Sequence, residues 1–222
     1  MMKSQLPLFV AAEKPFTKLM LTKDKLATDK PTQDEPWQLI RGYLSENQQR
    51  LLWQESLEYP FSRPTIKVFG KMHTIPRSQV WFGDSGCDYL YSGLMIEALP
   101  WPHYLARLRQ QLTQDFSLQL NGVLVNHYAN GQQRMGWHSD DEPELASQSA
   151  IVSLSLGATR DFDIRHKQNG AKHRIALAAG DLLLMHWPMQ RDWQHSLPSR
   201  TKLANPRLNF TFRQIIPFYH QR

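Results

Sequence analysis

Cysteine is nearly missing from this chain. Cys87 stands alone in 222 residues, so no internal disulfide can form and a reducing, cytoplasmic setting is the simpler expectation. Long apolar runs are missing too: none approaches the roughly 20 residues that a membrane-spanning helix needs. The patch from Leu6 to Ala12 follows Lys3, but it contains Pro7, lacks an Ala-x-Ala exit and runs into Glu13 and Lys14, so it is read as no signal peptide. Acidic charge is the scarcer sign, with 20 Asp and Glu against 26 Lys and Arg, for a net +6 and a pI near 9.5. That excess favours a polyanionic partner, because released counterions drive nucleic-acid association, although charge alone does not separate this from an ordinary basic protein. What is plentiful is apolar: 41% hydrophobic and 11% aromatic residues exclude wholesale disorder and support one sizeable core.

Residues 1 to about 35 mix Lys, Thr, Pro and Asp without periodicity and read as a flexible tail. Trp37 to Tyr43 reads as an entering strand, and Ser45 with Gln48 is a capping-box start for a helix to about Leu57, with Leu51, Leu52, Glu55 and Leu57 on its packing side. Gly70 after Phe69 marks a hairpin tip. Leu105, Leu108 and Leu112 recur at helical spacing within Pro102 to Phe116. Strands follow over Gly122 to Tyr128, Ser149 to Leu156, Asp161 to Arg165 and Asp181 to Met185. Asn169-Gly170 turns a hairpin crowded with Arg165, Lys167, Lys172 and Arg174, a plausible phosphate grip. About eight strands after residue 60, with few helices, give a mainly β chain with flanking helices (α+β) and a double-stranded β-helix, or jelly-roll, core.

The chemistry concentrates between Asn126 and Arg213. In a strand, alternate side chains share a face, so His138 and Asp140 of a His-x-Asp triplet would enter one cavity. With a distant imidazole, best matched by His195, they make the two-His-one-carboxylate set that leaves positions open on Fe(II). His-x-Asp alone is common. The run Arg207-Leu-Asn209-Phe-Thr211-Phe-Arg213 strengthens the reading, because Arg207, Asn209, Thr211 and Arg213 fall on one strand face and two guanidinium groups there suit a dicarboxylate.

At these residues the chain resembles the AlkB-type Fe(II)/2-oxoglutarate dioxygenases, and most of all the branch that repairs duplex DNA. The likeness runs through Val68–Lys71, Pro76-Arg77, Phe82–Asp84, Tyr89–Gly93, Asn126–Tyr128, His138–Glu142, Leu156-Gly157, Arg160–Phe162, Arg165–Lys167, His195–Pro198 and Arg207–Arg213. It implies Fe(II) on His138, Asp140 and His195, with 2-oxoglutarate and O2 as co-substrates. Asn126 and Tyr128 would donate to 2-oxoglutarate, Arg207 would pair its distal carboxylate, and Asn209, Thr211 and Arg213 would complete its site. Phe69 would be a finger filling the gap left by an extruded base, and Tyr91 would stack on that base opposite His138. Tyr91 is a departure, since the branch commonly has Phe there. Tyr89 and Arg77 would line the substrate pocket, Asp141 would pair with Arg213, and Glu142 would meet the amino edge of the base.

The implied organisation is a tail over 1–35, one dioxygenase domain over 36–217 and a short tail over 218–222. Within the domain, 36–118 would form the nucleotide-recognition lid with its supporting helices, and 119–217 the catalytic core. Gln5-Leu6-Pro7-Leu8-Phe9 resembles the motif by which bacterial repair proteins dock to the sliding clamp. The implied activity is oxidative demethylation of bases such as 1-methyladenine and 3-methylcytosine in DNA, by a monomer with no membrane partner. Two rivals stay open: a 2-oxoglutarate oxygenase of RNA, protein or a small molecule, and a non-catalytic nucleic-acid-binding protein.

Overall fold

In the computed structural model the described residues are 28–29, 35–68, 70–91 and 93–221. The strands in chain order are β1 (Thr28–Asp29), β2 (Trp37–Ile40), β3 (Thr65–Val68), β4 (Lys71–Thr74), β5 (Ser78–Gly83), β6 (Tyr89–Tyr91), β7 (Leu94–Ile96) and β8 (Gly122–Tyr128). Then follow β9 (Met135–His138), β10 (Ile151–Gly157), β11 (Arg160–His166), β12 (Lys172–Leu177), β13 (Leu182–Met185), β14 (Trp193–Leu197) and β15 (Arg207–Arg213). The helices are α1 (Glu46–Ser56), α2 (His103–Phe116) and α3 (Trp187–Asp192).

Seven strands form one antiparallel sheet in the order β1-β2-β13-β10-β15-β8-β5, and four form a second in the order β12-β11-β14-β9. Their inner faces pack together around Leu39, Ile151, Phe162, Ile164, Leu183, Met185 and Trp193. The outer face of the larger sheet is covered by α1 and α2, which bury Leu52, Leu105, Leu108 and Leu112 against Val125, Leu154, Leu208, Phe210 and Phe212. This is the jelly-roll with flanking helices expected from the sequence. Strand β15 shows why it forms: Leu208, Phe210 and Phe212 feed the helix-covered core, while the alternate residues Arg207, Asn209, Thr211 and Arg213 face the gap between the sheets. The ribbons β3–β4 and β6–β7 stand apart from the two sheets.

Local chemistry fixes the helix ends. Ser45 Oγ accepts from Gln48 N at 3.4 Å while Gln48 Oε1 accepts from Ser45 N at 3.0 Å, which completes the capping box. The packing side of α1 is narrower than its sequence suggests: Leu57 is its C-cap and is 71% exposed.

Candidate active site

Between the sheets lies a cavity of about 260 Å³ lined from both sides. His138 stands at the end of β9 and His195 in the middle of β14, paired in register across the smaller sheet. Their ring centroids are 4.2 Å apart. Asp140 sits between the two imidazoles and the larger sheet, with Oδ1 3.6 Å from His138 Nε2 and Oδ2 3.9 Å from His195 Nε2. One donor atom from each of the three lies within 4.8 Å of the others.

The route to this convergence differs from the strand geometry expected for His-x-Asp. Strand β9 stops at His138, and Asp140 follows in an irregular segment just past its end. The Asp140 N–H donates to Gln190 Oε1 at 2.9 Å and Ser139 Oγ to the Trp193 carbonyl at 2.7 Å, so side chain and backbone groups from α3 and β14 hold this segment in place of a ladder. Gln190 carried no motif in the sequence, and nothing short of the fold would have found it.

Electrostatics tune the three groups for a cation. Burial pushes the His195 pKa down to about 3, aided by His138, so its imidazole stays neutral and keeps the lone pair a metal needs. His138 Nδ1 lies 2.9 Å from the Gly136 carbonyl, which fixes that nitrogen as the donor and leaves Nε2 for ligation. Burial works against the Asp140 carboxylate, but Arg213, His195 and His138 together hold its pKa below the ordinary value. Two imidazoles and a carboxylate on one side of an open cavity fit an Fe(II) ion with free positions.

The two arginines of β15 have different partners. Arg213 Nη2 donates to Asp140 Oδ1 at 2.9 Å and Nη1 to Glu142 Oε1 at 3.5 Å. The expected Arg213–Asp141 pair does not form: Arg213 is buried on the inner face, whereas Asp141 lies exposed at the mouth. Arg207 is 2% exposed; its Nη2 donates to Ser155 Oγ at 2.9 Å, and its Nε has no partner. No carboxylate among the described residues pairs with it, and burial lowers its pKa to about 10, so it remains a cation at neutral pH. A buried cation without a counter-ion costs several kcal/mol, and the slot beside it fits the carboxylate of a small diacid.

Of the other residues named from the sequence, Tyr89, Asn126, Tyr128, Glu142, Asn209 and Thr211 line the same cavity. Asn126 Oδ1 accepts from Arg77 Nε at 2.7 Å, which turns the amide's donor end loose for another acceptor; Arg77 is thus buried behind Asn126 and does not line the cavity, where the resemblance had placed it. Tyr128 lies under Arg207, ring centroid to guanidinium 5.5 Å. Asn209 spends both amide hydrogens on Ser153 Oγ and the Leu154 carbonyl, and Thr211 Oγ1 donates to Asn209 Oδ1, so these two brace the wall. Tyr89 OH donates to Glu142 Oε1, while Glu142 Oε2 is buried without a partner. Tyr91 has a described strand position but no described side chain, and Phe69 and Gln5 to Phe9 lie outside the described residues.

On the β11–β12 hairpin, Lys167 Nζ donates to the Gln190 carbonyl and Arg174 grips Asp163 with two bonds, of 2.6 and 2.9 Å. Arg165 is held by Gln194, and Lys172 has no side-chain partner among the described residues. Ser153 and Ser155, unnoticed in the sequence, had a signal: they alternate with Val152, Leu154 and Leu156 in an otherwise apolar strand, marking the polar inner face.

Comparison with known proteins agrees with this geometry. Residues 37–213 match the 2OG-Fe(II) oxygenase superfamily. The chain is 45% identical over 160 residues to the DNA oxidative demethylase ALKBH2 of Bos taurus, covering 68% of this chain and 58% of that one. To ALKBH2 of Mus musculus it is 42% identical over 176 residues, 76% of this chain and 74% of the relative. To the alpha-ketoglutarate-dependent dioxygenase alkB homolog 3 of Mus musculus it is 38% identical over 152 residues, 64% and 52% respectively. The chain thus spans little more than half the length of several curated relatives. The solved structure of OsALKBH1 shares the fold, with a TM-score of 0.58 at 18% identity over 83% of this chain and 99% of that one. With a matching superfamily region, close relatives of AlkB type and the His138–Asp140–His195 set in one cavity, this chain belongs to the 2OG-Fe(II) oxygenase superfamily, in its AlkB-type branch.

Proposed function

We propose that the protein is a DNA oxidative demethylase that restores N-alkylated bases such as 1-methyladenine and 3-methylcytosine. One observation carries the reading: a facial His138–Asp140–His195 set shares its cavity with Arg207, a buried cation lacking a carboxylate partner among the described residues. The set would hold Fe(II), and Arg207 would take the distal carboxylate of 2-oxoglutarate, with Asn126 and Tyr128 beside it. Bound there, iron with 2-oxoglutarate and O2 would supply the oxidation, two electrons from decarboxylation to succinate and CO2 and two from the N-methyl carbon, which would leave as formaldehyde.

The chain's own residues position and select. Arg213 fixes Asp140 from behind, and Tyr89 and Arg213 together pin Glu142 Oε1. That leaves the unpartnered Glu142 Oε2 to accept from the exocyclic amino group of adenine or cytosine. Alkylation at these ring nitrogens makes the base cationic, so Glu142 and the exposed Asp141 at the cavity mouth favour damaged over normal bases. A base reaches this depth only when flipped from its stack, and Phe69 and Tyr91 would serve as finger and stacking partner.

Succinate release separates this reading from its rivals. Release that depends on Fe(II) and is stimulated by a methylated oligonucleotide, but not by the unmethylated strand, is expected. Stimulation by no nucleic acid, with turnover on a protein or small molecule, would move the chain to another oxygenase activity. Gln5, Leu6, Leu8 and Phe9 are proposed in addition as a sliding-clamp motif. Leu8→Ala with Phe9→Ala should release the protein from immobilised clamp, and equal retention of both forms would dispose of that part.

A further inference from the structure

A charged, partly exposed surface lies outside the cavity, on the outer face of the four-stranded sheet. Trp137 precedes His138 on β9, so strand alternation turns its indole away from the cavity; it is 38% exposed. The Arg165 guanidinium carbon lies over it, 4.4 Å from the ring centroid. Gln194 Oε1 accepts from Arg165 Nε at 3.0 Å and Nη2 at 2.7 Å, which holds the guanidinium in one plane. Three adjacent strands, β9, β11 and β14, thus each contribute one member. The indole N–H makes no hydrogen bond among the described residues.

We propose that Trp137 and Arg165 form a stacking platform for an unpaired nucleobase flanking the one drawn into the cavity. The inference rests on the DNA reading above. Bases stack on indole rings and guanidinium planes whatever their identity, because each presents a π face. Charge points the same way: Asp163, on the same strand face as Arg165, is neutralised by Arg174, so the platform is cationic and suits a polyanion.

The test uses the full chain and a labelled oligonucleotide containing 1-methyladenine, with binding read by fluorescence anisotropy over a salt series. Trp137→Ala should weaken binding about five- to one-hundred-fold, with Trp137→Phe retaining most of the affinity. The dependence of affinity on salt should keep its slope, because no charge is removed. Replacing the nucleotide beside the lesion with an abasic analogue should weaken the wild type but leave Trp137→Ala unaffected. Wild-type affinity in Trp137→Ala, or an equal abasic loss in both proteins, overturns the platform. If the wild type releases succinate with methylated DNA while Trp137→Ala binds unchanged, only the platform fails; if the wild type neither binds nor turns over with DNA, both readings fail.

Discussion

Arg207 and Arg213 share a strand face yet do opposite work. Arg213 already has its anion, Asp140, at 2.9 Å, whereas Arg207 is buried with only a hydroxyl. Replacing Arg213 with Met therefore strands the Asp140 carboxylate and should cost about 3–5 kcal/mol in urea unfolding. An unchanged midpoint would contradict the pair. Replacing Arg207 with Gln strands nothing, so stability should hold or rise, while calorimetric affinity of the Mn(II)-loaded protein for 2-oxoglutarate should fall about thirtyfold or more. Undiminished affinity would remove Arg207 from the co-substrate site. The sequence made the inner face of this strand legible through strict alternation of polar and apolar residues. It did not reveal Arg213's partner, because Asp140, Asp141 and Glu142 are adjacent carboxylates and only the path of the chain there decides which of them points inward.

Elements whose ends are set locally were readable: the capping box starts α1, and leucine spacing marks α2. The end of β9 was not, since the group that replaces its ladder, Gln190, lies fifty residues away on α3. A second non-local join ties the loop after β8 to the loop after β14. Gly131 N donates to the Leu203 carbonyl and Arg200 N to the Gly131 carbonyl, with Arg160 beneath donating to the Asn130, Gln133 and Pro198 carbonyls. A Cβ on Gly131 would fall 1.9 Å from the Arg200 oxygen. Gly131→Ala should therefore destabilise by about 1–3 kcal/mol in thermal or urea unfolding, and a neutral result would contradict the close approach.

Strand β8 also carries a pH dependence. Burial lowers the pKa of His127, as it does that of His186, below the ordinary 6.5. The unfolded chain then takes up protons that the folded one resists, so stability present above about pH 6.5 is lost as pH falls below it. His127 packs on Phe61, centroids 5.4 Å apart, and His127→Phe should lessen the drop in thermal midpoint between neutral and mildly acid pH. An equal drop in both proteins would rule His127 out as a cause.

For the whole molecule, net charge of +6 suggested a polyanion, and the sequence placed the grip on the β11–β12 hairpin. In the fold Arg174 and Lys167 are engaged within the protein, while Arg165 lies over Trp137. Sequence shows which residues are charged; whether they are already neutralised depends on neighbours brought in by the sheet. The function proposed above requires one cavity to hold iron and 2-oxoglutarate and to turn them on an N-methyl group of DNA. Mass spectrometry of a duplex carrying one 1-methyladenine reads that outcome on the DNA itself. With Fe(II), 2-oxoglutarate and air the strand should return to its unmethylated mass, and omission of any one, or His195→Ala, should leave it unchanged. Consumption of 2-oxoglutarate with the methyl group still in place on duplex and single strand alike would rule out DNA demethylation by this cavity.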